Sequence, residues 1–247
     1  MSWEGVLFIV VGALAGGFVN GLAGSGTALF ALGFFLAALD PVSAVAVVSL
    51  MSVITGLQGL WEVRDALQVN VPRLLRFIIP GLAGVPVGIS LLTFIDADTL
   101  KLVIAALLIV YGGFFSFRAN LPRFERRTPV LDSGIGLIGG VLGGMASLSG
   151  AIPVIWCSMR PWPKAETRAV LQPFNVCVLF TTTAMLWWRG AYDGATVTAF
   201  LIALPASVLA AQGGLMVFRR ISDNTFRRLL IGLSLLLGLG IAIRALV

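Results

Sequence analysis

The chain consists largely of long uncharged apolar stretches, and this feature constrains its fold more than any other. A walk along the 247 residues finds eight such blocks, each close to the roughly 20 helical residues that cross the ~30 Å hydrocarbon core of a bilayer, or longer. The blocks span residues 5–39, 41–61, 75–95, 99–117, 133–159, 169–188, 195–218 and 226–246. The sequence therefore predicts an all-α polytopic integral membrane protein whose surroundings are the lipid bilayer.

Composition excludes several functional classes. Only 11% of residues are charged, against about a quarter in soluble domains. Histidine is absent, which removes His-based zinc sites and Ser/His/Asp triads. The two cysteines lack metal-type spacing and are interpreted as small buried apolar side chains. The excess of 17 Lys and Arg over 11 Asp and Glu suits loop orientation in a membrane rather than nucleic acid. We predict no catalytic residue, no metal, no cofactor and no nucleic-acid partner.

The first and fifth blocks are too long for one helix, and small flexible residues interrupt both of them. The first contains the run Asn20 to Thr27, with two glycines around Ser25, and the fifth contains Ser147 to Gly150 followed by Pro153. Non-helical backbone at membrane depth occurs only where protein or water satisfies its polar groups. These blocks are therefore predicted to be broken helical hairpins. The other glycines, spaced four apart, are interpreted as faces for close helix packing.

The two halves of the chain match each other at a shift of 124 to 126 positions, which indicates a duplication. Ser25-Gly26 then falls on Ser149-Gly150, and Pro80 on Pro205. We predict a first repeat over 1–117, a cytoplasmic linker over 118–132 and a second repeat over 133–247. Each repeat is predicted to hold one hairpin, 5–39 or 133–159, and the three single helices that follow it.

The distribution of Lys and Arg selects between two threadings, because cytoplasmic loops are enriched in them. If each broken block crosses the membrane once, the two sides carry nine and eight, which is no bias. If each block enters and leaves by the same side, fourteen fall on one side and three on the other. The second threading gives each repeat an odd number of crossings, so the repeats are inverted. The protein is then predicted to lie in the inner (plasma) membrane with both termini periplasmic.

In this threading the second arms of the two hairpins enter from opposite sides, and their N-termini face each other inside the bilayer. Free N–H groups and the positive end of the helix dipole make such a place suitable for an anion, and Ser or Thr before each arm is expected to cap it. Two buried turns without a ligand are the alternative that the residues leave open. The candidate substrate-binding residues are Asn20, Gly24, Ser25, Gly26, Thr27, Ser52, Ser149, Gly150, Arg168, Gln172 and Asn175.

The arrangement resembles the TauE/SafE sulfite exporter family, also called the transmembrane sulfur-compound permeases. The resemblance rests on the glycine-rich runs 16–26 and 139–150 and on the turns 40–46 and 163–169, and it covers essentially the whole chain. It implies a small anionic sulfur compound as the substrate. The family's longer glycine string is reduced here to Gly24-Ser25-Gly26 and Ser149-Gly150, so the choice among sulfite, thiosulfate and small organosulfonates stays open.

Several functions compete at this point. Export of a sulfur anion by alternating access between inverted repeats is favoured. Uptake of an oxyanion such as thiosulfate uses the same machinery, and an intramembrane enzyme would need an acid, base or nucleophile set that the chain does not offer. The direction of transport, the coupling ion (proton, sodium or none) and the assembly of two copies into a homodimer are left open by the sequence.

Overall fold

The computed structural model describes residues 2–24, 26–62, 64–117, 124–126, 128–162, 164–222 and 225. Within these ranges the chain forms helices and no strand. The helices are α1 Trp3–Ala23, α2 Thr27–Phe35, α3 Pro41–Glu62, α4 Arg64–Leu92, α5 Ala97–Phe117, α6 Pro129–Ala146, α7 Ala151–Ser158, α8 Lys164–Trp188 and α9 Gly194–Arg220.

Six helices of the described ranges are long and apolar enough to cross a membrane. These candidate spans are Trp3–Leu22, Pro41–Leu60, Val71–Leu92, Pro129–Ala146, Glu166–Trp188 and Gly194–Arg220. Many of their apolar side chains point outward, as with Trp3, Trp188 and Leu209, which are more than two-thirds exposed. Lipid covers such side chains at no cost. The protein is an all-α polytopic membrane protein, as predicted.

The observed boundaries differ from the predicted blocks mainly at their starts. Helix α4 begins at Arg64, eleven residues before the predicted 75, and continues through Pro72, Pro80 and Pro86. Helix α6 begins at Pro129, inside the segment 118–132 that the sequence assigns to the linker. The block at 226–246 lies outside the described residues.

Helix α2 folds back along α1, so the first broken block is a hairpin, as predicted. A Cβ added to Gly12 would lie 2.9 Å from the Cβ of Phe34, and one added to Gly16 would lie 2.8 Å from the carbonyl oxygen of Thr27. The start of α2 therefore lies beside the later glycine and its end beside the earlier one. The two arms are antiparallel, and glycines let them approach closely.

Helix α7 folds back along α6 in the same way. At the tip, a Cβ on Gly139 would lie 2.8 Å from the carbonyl oxygen of Ser149. Near the open end, the Trp156 indole donates a 2.8 Å hydrogen bond to Asp132. The second broken block is therefore also a hairpin.

Contacts between the halves of the chain fix the directions of the helices. Thr183 donates to Ser49 at 3.1 Å, and Gln172 donates to the carbonyl of Gly56 at 2.8 Å. Residue numbers rise along α3 as they fall along α8, so these two helices are antiparallel. Helix α3 follows the turn at the end of α2 and returns parallel to α1.

Helices α8 and α6 run in the same direction. A Cβ on Gly139 would lie 2.9 Å from the Phe174 ring, and one on Gly143 would lie 2.5 Å from Val178. Because α8 opposes α3, and α3 follows the direction of α1, the second hairpin enters the membrane opposite to the first. The two hairpins therefore point in opposite directions within the helix bundle.

Each hairpin packs against a helix of the other half through glycine. A Cβ on Gly21 would lie 1.9 Å from the carbonyl oxygen of Ala211 in α9, and a Cβ on Gly140 would lie 1.9 Å from that of Gly81 in α4. Backbone thus touches backbone at both places, which only glycine permits. The two halves interlock, and this packing positions the hairpin tips.

Candidate functional site

The tip of the first hairpin is a three-residue break between α1 and α2. Gly24 ends α1 with φ 75°, and Gly26 precedes α2 with φ 102°. Both lie in the left-handed region, which favours glycine. The described residues supply no side-chain cap for α2. The residue predicted to cap it, Ser25, lies outside them.

The backbone N–H groups at the start of α2 are candidates for binding a ligand. The first four N–H groups of a helix have no partner within the helix. At the start of α2 these groups are buried, since Thr27 and Ala28 are 2% and 1% exposed. A buried helix N-terminus of this kind binds an anion through its N–H groups and its dipole.

At the tip of the second hairpin, two backbone N–H groups already donate hydrogen bonds within the hairpin. Gly150 precedes α7, again without a side-chain cap. The N–H of Ala151 donates to the carbonyl of Leu148, and that of Val154 donates to Gly150. Pro153 has no N–H. Ser149, predicted to cap α7, donates instead to Asn175 Oδ1 on α8.

The starts of α2 and α7 lie at similar depths in the helix bundle. Thr27, at the start of α2, lies beside Gly16 of α1. Gly16 is about one helical turn from Asn20, which donates to Thr55 of α3. Ser149, before α7, contacts Asn175 of α8. Asn175 is about one helical turn from Gln172, which donates to Gly56 of α3. Because Thr55 and Gly56 are adjacent, the two starts lie within about two helical turns, roughly 10 Å, along the bundle axis.

Arg168 and Gln172 of α8 reach the tip of the first hairpin. The Arg168 guanidinium donates to the carbonyl of Gly21 at 3.0 Å and lies 4.4 Å from the centre of the Phe218 ring. Gln172 fits against two further glycines, because a Cβ on Gly24 or Gly59 would come within 2.8 Å of its amide. A cation at the carbonyl end of α1 also complements the dipole of that helix.

Two predicted residues have partners elsewhere. Asn20 is 1% exposed and donates from Nδ2 to the hydroxyl of Thr55 at 2.6 Å. Ser52 is fully buried and donates to the carbonyl of Val48 in its own helix at 2.7 Å. Thr55 is not among the residues predicted from sequence, although it lies one turn after Ser52 and so continues the same polar helix face.

Four buried polar atoms around the two tips have no hydrogen-bond partner among the described residues. They are Asn20 Oδ1, Thr27 Oγ1, Gln172 Oε1 and Asn175 Nδ2. Buried polar atoms are nearly always hydrogen-bonded, and an unpaired one in an apolar setting costs up to several kcal/mol. A polar ligand between the hairpins would supply the missing partners.

A second buried polar cluster lies at the open end of the second hairpin. Arg160 and Asp132 form a 3.0 Å ion pair whose side chains are 4% and 5% exposed. Arg160 also donates to the carbonyls of Phe124 and Arg126 and to the Thr128 hydroxyl. Neither residue is among the candidate site residues predicted from sequence, because pairing across 28 positions has no local signal.

Comparisons with known proteins now bear on this geometry. The chain matches the family described as Sulfite exporter TauE/SafE over residues 8–241. The chain belongs to the TauE/SafE sulfite exporter family. Membership of this membrane transporter family confirms the resemblance that the glycine-rich breaks indicated, and both breaks lie within the matched residues.

One curated relative gives a closer comparison. The chain is 28% identical over 161 residues to a protein of Cupriavidus necator (strain H16) described as "Probable sulfite/organosulfonate exporter TauE". The aligned part covers 64% of this chain and 62% of the relative, so it spans less than two-thirds of the relative's length. No solved structure matches the chain.

Proposed function

We propose that this protein is a secondary transporter that exports a small sulfur-containing anion, sulfite or a two-carbon organosulfonate, by alternating access. The anion binds between the two hairpin breaks. Thr27 and the first N–H groups of α2 contact it from one side, and Ser149, Gly150 and Asn175 from the other. Gly24, Ser25 and Gly26 shape the first break, while Asn20, Ser52, Arg168 and Gln172 line or support it.

One observation carries this proposal. Among the described residues, the buried start of α2 has no side-chain cap, and the Thr27 hydroxyl there has no hydrogen-bond partner. At the other tip, the amide nitrogen of Asn175 is also buried and has no hydrogen-bond partner among the described residues. These groups are neutral donors, which bind an anion without the cost of burying a full charge. The names of the family and of the relative supply the sulfur chemistry.

Transport rather than catalysis follows from the same residues. The buried polar side chains described are hydroxyls, amides, two arginines and one carboxylate, Asp132, which is paired with Arg160. We therefore propose no catalytic residue and no cofactor. We further propose that 1–117 and 133–247 are inverted repeats that expose the anion alternately to the two sides.

Counterflow of labelled sulfite in proteoliposomes tests the site. Thr27→Val removes the hydroxyl at nearly constant volume, and we expect the exchange rate to fall at least about tenfold, since a hydrogen bond to a charged group contributes about 1.5–3 kcal/mol. Thr198→Val is the matched control, because Thr198 is exposed and its hydroxyl donates only to its own helix. Ser149→Leu should abolish exchange. Folded variants that transport at wild-type rates would overturn the site.

The orientation has its own test. We propose that the arginine-rich side faces the cytoplasm and that both termini are periplasmic in the inner membrane. A reporter fused after Leu39 should be periplasmic, and one fused after Arg160 should be cytoplasmic. Either reporter found on the other side would contradict this topology.

A further inference from the structure

Two side chains from the second half of the chain donate to adjacent carbonyls near the start of α3. The Ser147 hydroxyl, at the apex of the second hairpin, donates to the carbonyl of Val45 at 3.1 Å. The Tyr192 hydroxyl, on the connection between α8 and α9, donates to the carbonyl of Ala46 at 3.0 Å. Val45 and Ala46 are fully buried, so this turn of α3 is shielded from solvent.

Two further hydroxyl pairs hold the same end of α3. Thr183 of α8 donates to Ser49 at 3.1 Å, and Thr196 of α9 donates to Ser43 at 3.0 Å. All four hydrogen bonds join neutral groups, which contribute less to stability than hydrogen bonds to charged groups. The opposite end of the bundle includes a charged contact, because the Arg168 guanidinium donates there to a carbonyl of α1. The contacts at the start of α3 are therefore individually the weaker ones.

A polar face of α3 leads from this turn to the candidate anion site. Ser49, Ser52 and Thr55 follow one another at intervals of three residues and so share one face of the helix. Ser52 is fully buried, and Thr55 accepts from Asn20 near the tip of the first hairpin. A ligand that moves between the site and the start of α3 would therefore pass hydroxyl groups along this face.

Tyr192 lies on a short connection that contains a glycine. Gly190 is exposed and has φ 75°, in the left-handed region that favours glycine. A Cβ added to it would meet no atom of the described residues within 4 Å. The Tyr192 ring packs against Trp187, whose own side chain is largely exposed. The connection thus has open space on its outer side, into which Tyr192 can move.

We propose that Tyr192 and Ser147 form a gate that closes the anion site at the end of the bundle where α3 begins. When Tyr192 releases the carbonyl of Ala46, the polar face of α3 opens to that side, and the ligand enters or leaves past Ser49. The inference rests on the proposed function, since the gate serves the site between the hairpin breaks. The proposed topology places this end at the periplasmic side.

Labelling of a buried cysteine behind the gate tests this. The reporter is Ser52→Cys in a chain whose own cysteines are replaced by Cys157→Ala and Cys177→Ala. The protein is purified in detergent and treated with 2-sulfonatoethyl methanethiosulfonate. Tyr192→Phe removes only the hydroxyl, and we expect it to raise the labelling rate at least about fivefold, because the closed state loses one hydrogen bond. Tyr192→Ala should raise the rate further.

Three variants complete the test. Thr198→Val is the matched control for loss of a hydroxyl, because Thr198 is exposed and donates to its own helix, and it should leave the labelling rate unchanged. Cys157, retained in a chain with only Cys177→Ala, reports general loosening, because it is fully buried in α7, away from the gate. Ser147→Gly removes the second hydroxyl at a φ of 55° that glycine adopts without strain, and it should also raise labelling of the reporter.

The outcomes separate the two proposals. Unchanged labelling in both Tyr192→Phe and Tyr192→Ala overturns the gate, and so does an equal rise at Cys157, which would show a loosened fold. Unchanged labelling in Ser147→Gly removes Ser147 from the gate. If Ser52→Cys does not fold, Val48→Cys, which is also fully buried and lies one turn earlier, replaces it.

Labelling needs no substrate, so the gate and the proposed function can fail independently. Absence of sulfite exchange in the wild type overturns the proposed function, whereas a rise in labelling still supports the gate. Sulfite exchange together with unchanged labelling in the Tyr192 variants overturns only the gate.

Discussion

The two hairpins have the same outline but are held in different ways. The second hairpin is fixed by its own polar side chains, through the buried Arg160–Asp132 pair at its open end and through Ser147, which donates to the carbonyl of Val45 at 3.1 Å. The second arm of the first hairpin, α2, is apolar beyond Thr27, and every side chain described as buried in it after Thr27 is Ala, Leu or Phe. Its tip is contacted instead by Arg168 and Gln172 of the other half.

The difference indicates a division of roles. In the second hairpin, the N–H groups of Ala151 and Val154 are already bonded and Pro153 has none. In the first, Gly24 and Gly26 flank the break, and the described residues supply no side-chain cap for the N–H groups of α2. We therefore propose that the first hairpin binds the anion more strongly and that the second is the more firmly anchored of the two. Four predictions test this contrast.

The largest effect should come from the anchor of the second hairpin. Arg160→Ala leaves the Asp132 carboxylate buried without its cation, and we expect the free energy of unfolding to fall by about 3–5 kcal/mol. Unfolding in mixed micelles measures it.

The control for this change is an ion pair outside the hairpins. Arg73 and Glu166 lie 3.2 Å apart, but their side chains are 30% and 39% exposed, so Arg73→Ala should cost less than about 1 kcal/mol. Replacing both anchor residues, Arg160→Met with Asp132→Leu, should recover much of the loss. Equal losses for Arg160→Ala and Arg73→Ala would show that the anchor adds nothing.

Both hairpins pack against a helix of the other half through glycine, and we expect the next largest loss of stability when these glycines are replaced. Gly21→Ala and Gly140→Ala each introduce a methyl group 1.9 Å from a carbonyl oxygen, and we expect each to cost about 1–3 kcal/mol of unfolding free energy. Gly134→Ala and Gly213→Ala are matched controls, because a Cβ there meets no atom of the described residues within 4 Å. A loss confined to one hairpin would contradict the common packing.

A smaller effect tests the free N–H groups of α2. Ala28→Pro removes one N–H in the first helical turn, where proline is otherwise tolerated, as Pro153 does in α7. We expect sulfonate affinity to fall about tenfold, or about 1.4 kcal/mol, by calorimetry. Ala28→Val adds the same number of carbon atoms and keeps the N–H. Equal affinities for the two variants would show that this N–H does not contact the anion.

The smallest effect should come from removing one helix cap in each half of the chain. Equal losses of Tm in the two halves would show that the halves differ only in their hairpins. Asp96 and Asp193 accept from the backbone N–H of Thr99 and Thr196 at the starts of α5 and α9. These hydrogen bonds hold the pKa of each carboxyl below its ordinary value. Asp96→Ala and Asp193→Ala should each lower the Tm by about 2 °C near neutral pH.

The pH dependence of these caps has a definite sign. Because the folded pKa is lowered, each carboxylate stabilises the protein at pH values above its unfolded pKa of about 4, and this contribution disappears as the pH falls through the folded pKa. Thermal unfolding of each variant and the wild type from pH 7 to pH 3 should show the Tm difference shrinking below about pH 4. A difference that stays constant over this range would rule out the charged caps.

Part of the candidate site could be predicted from local sequence. The breaks at Gly24 to Gly26 and at Ser147 to Gly150 lie where predicted, because glycine and serine interrupt apolar stretches too long for one helix. The capping role of Ser149 was wrong, since its hydroxyl found a partner on α8 instead. A helix cap depends on the local backbone, which the sequence indicates. The hydrogen bond from Ser149 to Asn175 depends on how α8 is rotated against the second hairpin.

Sequence alone determined the environment of this protein, because the length and polarity of each stretch decide whether it can cross a bilayer. The placement of arginine predicts the direction of each crossing. Tertiary structure decided which polar groups meet, such as Arg160 with Asp132 and Asn20 with Thr55. Those pairs depend on the rotation and depth of each helix after packing. An unpaired polar group in hydrocarbon costs several kcal/mol, so packing arrangements that pair these groups are favoured.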